Sequence, residues 1–160
     1  MKKILIVNLT RFGDLLQTSP TIVGLRRQHP DAHITVMVER NFAAACAGIP
    51  GIDRVWELDL DDLGRRLLAV PGGLRTAYGV VEETVAALRA ERFDVAINYS
   101  SSRMSAVLLN LIGTPDTRGW TMTGDGYRLI AHRWSRLFSA ACLCRRQAPF
   151  NLLTDYQPVL

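Results

Sequence analysis

The sequence predicts an α/β fold built on a mostly parallel sheet with helices on both faces. Three observations carry this. Short apolar runs alternate along the chain with segments of helical periodicity. The first run, Ile4-Leu5-Ile6-Val7, is apolar without alternation, as a strand covered on both faces must be. That run passes through one short glycine-bearing turn into a helix-like segment, the first unit of a Rossmann-like sheet.

The elements follow in order. Residues 4–7 read as the first strand and residues 14–27 as the first helix, which Pro20 must kink or restart near Ser19. Residues 33–39 (HITVMVE) form a second strand, 41–47 a short helix closed by Gly48, and 54–58 a third strand. Residues 59–92 are helical in pattern, with leucines at 60, 63, 67 and 68 and apolar residues at 81, 85 and 88, but Pro71-Gly72-Gly73 breaks them in two. Residues 93–99 (FDVAINY) read as a fourth strand, 104–111 as a helix, 118–120 as a short fifth strand and 128–146 as a long final helix. The segment 149–156 starts like another helix and then stops, so the 160 residues read as a single Rossmann-like domain ending at a domain boundary.

Composition narrows the function. A chain that is 48% apolar and 21% charged is globular, not disordered. Its three cysteines (Cys46, Cys142, Cys144) form no CxxC pair and read as reduced thiols, neither a disulfide frame nor a metal site. The start is not a secretion signal, because the apolar run ends at Asn8 and charges follow at once, and no stretch is long enough to span a bilayer. A cytoplasmic protein is expected. The net charge of +4 comes entirely from residues 101–160, which hold seven arginines against three aspartates. Such a third suits an anionic partner, although charge alone favours solvated surface arginine.

Ligands of open α/β sheets lie beyond the C-terminal ends of the strands. The residues there are Thr10, Arg11 and Asp14 after the first strand and Glu39, Arg40 and Asn41 after the second. Asn98, Ser100, Ser101, Ser102 and Arg103 follow the fourth, and Trp120 the fifth. This edge is polar and rich in hydroxyls, which suits a sugar or phosphosugar. The first turn lacks the GxGxxG spacing of a dinucleotide site. Asp14 stands where an N-cap would stand, the reading that spacing alone favours, and where a general base could take a proton from a substrate hydroxyl. Ser100, Ser101 and Ser102 compete for the next helix cap. Arg103 and Arg118 suit anion contacts, since guanidinium binds carboxylate or phosphate through two parallel bonds. The three histidines share no spacing that would make a catalytic arrangement.

Several of these stretches together resemble the lipopolysaccharide heptosyltransferases, glycosyltransferase family 9. The resemblance begins with Leu9-Thr10-Arg11-Phe12-Gly13-Asp14-Leu15-Leu16-Gln17-Thr18-Ser19-Pro20. It continues through Leu25 to Ala32, Pro50-Gly51-Ile52-Asp53-Arg54-Val55, Phe93 to Asn98 with Ser102-Arg103-Met104-Ser105, Thr117-Arg118-Gly119-Trp120 and Pro149-Phe150-Asn151-Leu152-Leu153. It implies the N-terminal half of a GT-B fold, an acceptor-binding domain whose C-terminal donor-binding partner is not in this chain. The implied reaction is metal-independent and inverting, moving heptose from ADP-heptose to an inner-core sugar on lipid A at the inner face of the inner membrane. It implies no cofactor and no nucleic-acid partner. Asp14 takes the place of the base, with Thr10, Arg11, Thr18, Ser100, Ser101, Arg103 and Arg118 as acceptor contacts. The 160 residues alone would turn nothing over. The unlike reading is a stand-alone, non-catalytic module that binds a phosphorylated sugar or a nucleotide.

Overall fold

The computed structural model describes residues 1–69 and 71–143. Six strands form one sheet: β1 (Lys3–Asn8), β2 (His33–Glu39), β3 (Arg54–Leu58), β4 (Val95–Asn98), β5 (Asp116–Met122) and β6 (Arg128–Ala131). Their spatial order is β3-β2-β1-β4-β5-β6. Strands β1 to β5 run parallel, and β6 returns antiparallel to β5. The helices are α1 (Phe12–Gln17), α2 (Ser19–Gln28), α3 (Leu60–Leu68), α4 (Gly73–Ala90), α5 (Arg103–Ile112) and α6 (Arg133–Leu143), with a 3-10 segment at Arg40–Gly48.

The apolar run of β1 is buried as its lack of alternation requires. Ile4 and Ile6, with Ile34, Val36, Val38, Val95 and Ile97, pack on one face against Leu15, Ile22 and Leu25 of α1 and α2. Leu5 and Val7, with Met37 and Ala96, pack on the other against Val85 and Leu88 of α4 and Leu108, Leu109 and Ile112 of α5. Two cores thus share one central strand. Arg26 ties the first layer to the β2–β3 connection, with Nη1 donating to Ala32 O (2.7 Å) and Nη2 to Gly51 O (3.0 Å) and to the Asp53 carboxylate. Burial pushes the Asp53 carboxyl up, but the Ile34 amide and Arg26 outweigh this and hold it below its ordinary value.

The expected break near Ser19 falls at Thr18, with Pro20 in the first turn of α2 where its missing N–H costs nothing. The break at 71–73 likewise separates α3 from α4. Two expectations are corrected. The first helix begins at Phe12, so Gly13 lies inside it and not in the turn before it. The long helix over 128–146 is instead a four-residue strand followed by α6. Thr123-Gly124-Asp125-Gly126-Tyr127 folds β5 back onto β6, closed by Thr123 N donating to Tyr127 O (2.8 Å) and Gly126 N to Thr123 O (3.0 Å). Residues 144–146 of that expected helix, Cys144 and the segments 149–153 and 149–156 lie outside the described residues.

Candidate functional site

The C-terminal edge of the sheet is built around two buried asparagines. Asn8, the last residue of β1, holds Thr10 through Oδ1, which accepts from Thr10 Oγ1 (2.5 Å) and Thr10 N (3.3 Å). Asn98, the last residue of β4, accepts from Ser100 N (2.9 Å) through Oδ1. Its Nδ2 donates to Trp120 O (2.7 Å) and Ser105 Oγ (3.2 Å). The two loops are joined because Leu9 N donates to Ser100 Oγ at 2.6 Å. Turn amides that a parallel sheet leaves unpaired are thereby satisfied inside the protein.

Asp14 is not the N-cap of α1. That position belongs to Arg11, in extended backbone (φ −81°, ψ 161°), and Asp14 sits three residues on. Its Oδ2 reaches back to accept from Arg11 N at 3.3 Å, which is the carboxylate half of a capping box. The first turn of a helix favours that negative charge. The carboxylate stands exposed, and its other oxygen has no partner among the described residues. The Arg11 guanidinium is exposed too, with no ion pair or hydrogen bond among the described residues. A methyl group placed on neighbouring Gly13 would meet nothing within 4 Å, so the space beside Asp14 is open. Thr10, Arg11 and Asp14 are therefore brought together on one accessible turn.

The other expected contacts scatter. Thr18 is buried, its hydroxyl donating to Leu15 O at 2.6 Å where α1 gives way to α2. Ser100 is buried under Leu9 and faces inward. In this arrangement neither presents a hydroxyl to the edge, because each is consumed by the backbone beside it. Ser102 wins the cap of α5, with Oγ accepting from Ser105 N at 3.0 Å, and that leaves Ser101 exposed. Arg118 is held by Asp116 on its own strand (Nη2–Oδ2 2.8 Å) and pairs in register with Ile97 of the α1/α2 face. Arg103 opens α5 on the opposite face and has no partner among the described residues. It lines a groove of about 880 Å³ between α3, α4 and α5, together with Arg40, Leu58, Asp59 and Met104. Arg103 and Arg118 thus do not form one anion site.

One feature escaped sequence reading. Arg128 of β6 lies over the Trp120 ring (4.5 Å to the centroid) and donates to Ser101 O, which adds a cation to the Ser101 end of the edge. The Gly-Asp-Gly turn at 124–126 was the available signal. Glu39 ends β2 buried, with Oε2 accepting from Asn41 N (2.9 Å), while Oε1 and Asn8 Nδ2 are buried without partners among the described residues. Of the cations and amides after β2, Arg40 pairs with Asp59 and Glu57, and Asn41 Nδ2 donates to Asp61 (3.0 Å). Among the described residues no three His, Cys, Asp or Glu side chains gather closely enough to hold a metal ion.

Against solved structures the chain superposes on a glycosyltransferase of family 9 from Veillonella parvula, with a TM-score of 0.60 at 24% identity over 75% of this chain. It superposes on Escherichia coli heptosyltransferase WaaC bound to ADP-2-deoxy-2-fluoro heptose, with a TM-score of 0.66 at 16% identity over 98% of this chain. The E. coli ADP-heptose LPS heptosyltransferase II gives 0.55 at 21% identity over 74%. The chain has their fold. It spans 32%, 46% and 30% of those three chains respectively, which is less than half of any of them. No family model and no curated protein matches the sequence.

Proposed function

We propose that this chain is the acceptor-binding domain of an inverting, metal-independent glycosyltransferase that moves heptose from ADP-heptose to an inner-core lipopolysaccharide sugar. The observation that carries the proposal is the Thr10–Asp14 turn: an exposed carboxylate with one unpartnered oxygen beside an unpaired guanidinium, at the edge where α/β sheets bind ligands. The shared fold and the resemblance of the Leu9–Pro20 stretch support the same reading.

In this reaction the acceptor hydroxyl lies against the free oxygen of Asp14. Asp14 takes its proton as the hydroxyl oxygen attacks the anomeric carbon. The bond from that carbon to the diphosphate breaks, and ADP leaves from the opposite face with the electron pair. The configuration at carbon inverts because entry and departure are on opposite sides. The donor is held chiefly by a second domain outside these residues. Arg11 faces a carboxylate or phosphate of the acceptor, Ser101 offers an exposed hydroxyl, and Thr10 Oγ1, whose proton goes to Asn8 Oδ1, is left to accept from a sugar hydroxyl. Thr18 and Ser100 shape the turn from inside. Arg103 and Arg118, on opposite sheet faces, act at separate points of an extended acceptor. The site of action is the cytoplasmic side of a membrane, where a lipid-linked acceptor is presented. No helix among the described residues is long and apolar enough to cross one.

The test is a transfer assay of the protein joined to a donor-binding domain, with ADP-heptose and a panel of anionic sugar acceptors. Product with an inverted anomeric centre on one of them is the expected result. Turnover of none, with binding of a nucleotide or phosphosugar by the present chain, would favour the non-catalytic module.

A further inference from the structure

The α3–α4 hairpin exposes more large apolar surface than a solvated turn needs. Leu67, Leu68, Leu74 and Tyr78 are 51%, 81%, 73% and 66% exposed, and all four lie within twelve residues. Scattered exposed leucines need no explanation, but a cluster of this kind does. The start of α4 packs closely on α3. Gly72 takes a left-handed φ of 95°, Gly73 N donates to Ala69 O at 2.9 Å, and Gly73 is so close to α3 that a side-chain carbon there would strike Arg66 O and come within 2.9 Å of Leu67 O. The exposed side chains therefore flank a closely packed helix junction.

Charge says what they face. Between Asp62 and Glu82 the chain carries Arg65, Arg66 and Arg75 and no acidic residue. Arg65 and Arg66 lean back toward Asp62, while Arg75 is exposed and has no partner among the described residues. Apolar side chains at a turn flanked by arginines are the makeup of a segment that lies in the interface of an anionic bilayer, with leucines among the acyl chains and guanidinium groups at the phosphates. Tyr78 suits the headgroup level. The apolar surface continues inward from the hairpin, since Leu63, Val80 and Val81 line the groove beneath it.

We propose that the α3–α4 hairpin docks this chain on an anionic lipid bilayer. The inference names the surface for the membrane-side location in the function proposed above, but it rests on separate observations and can fail separately. The test is flotation of the full chain with vesicles of phosphatidylcholine alone or of equimolar phosphatidylcholine and phosphatidylglycerol, with no sugar substrate present. The chain is expected to float with the mixed vesicles, less with phosphatidylcholine alone, and less as salt rises. Leu68→Asp with Leu74→Asp should weaken binding at least about tenfold with an unchanged melting temperature, because both side chains are exposed. Arg75→Glu should reduce the preference for anionic vesicles. Failure of the chain to float, or flotation of the double variant equal to that of the parent, overturns the proposal. So does self-association that the double variant abolishes without any vesicle binding, which would assign the patch to a protein interface. A transfer assay on a soluble acceptor is blind to all of these outcomes and reads the catalytic proposal alone.

Discussion

Replacing Asp14 with asparagine is expected to lower the transfer rate of the two-domain enzyme by about two to four orders of magnitude, the usual worth of general-base help. Asparagine is the informative choice because its amide oxygen can still accept from Arg11 N, as Asp14 Oδ2 does. The helix start is then kept and only the ability to take a proton is lost. Stability should stay within about 1 kcal/mol of the parent, the usual scale of a single cap. Asp14→Ala should lose the same activity and, in addition, about 0.5–1.5 kcal/mol of stability, the worth of the one hydrogen bond from Arg11 N. If Asp14 is only a helix cap, the pattern reverses: asparagine retains near-normal turnover and alanine costs stability alone. Rates and melting curves of the two variants, measured together, decide between them.

The second large effect is structural. Gly119→Ala should destabilise the domain by about 3–5 kcal/mol, the sum of left-handed strain and an overpacked contact. Gly119 has a φ of 78° and pairs in register with Asn98 of β4. A side-chain carbon there would strike Asn98 O and come within 3.1 Å of Asn98 C. Strand β4 cannot retreat, since it is fully buried and hydrogen-bonded to β1 on its other edge. Displacing Asn98 would also loosen Ser100, Ser105 and Trp120, the groups it holds together. Against a total stability of about 5–15 kcal/mol, such a loss shows plainly in a thermal melt. Gly64→Ala is the control: it lies in α3 with nothing within 4 Å, so it should be neutral or gain up to about 1 kcal/mol. A Gly119→Ala protein that melts with the parent would show that β4 and β5 can separate there.

Much of the fold was legible because its signals are local. Strand β2 carries a run rich in β-branched residues (Ile34, Thr35, Val36, Val38), β3 follows the Pro50-Gly51 turn, and Pro20 and Pro71-Gly72-Gly73 break helices wherever they fall in a chain. Strand β6 was not legible, because four residues (Arg128–Ala131) before an amphipathic helix read as that helix's first turn. Its pairing with β5 is a tertiary fact. The site divides along the same line. Thr10, Arg11 and Asp14 lie within five residues, so their proximity is set by one turn. Ser100 is spoken for by Leu9, 91 residues away, and no local pattern distinguishes a hydroxyl that faces out from one that faces in. Arg103 and Arg118 looked like one anion site because both follow strands toward the same edge. Strand register and helix placement send them to opposite faces of the sheet.

The central claim is that the Thr10–Asp14 turn receives the acceptor. It is tested most directly by an amide-resolved NMR titration of the isotopically labelled chain with an anionic inner-core sugar acceptor and, separately, with ADP-heptose. The account predicts that the acceptor shifts the amides of Thr10, Arg11 and Asp14 while ADP-heptose leaves them largely unmoved. Shifts of those amides by ADP-heptose and none by the acceptor would contradict it.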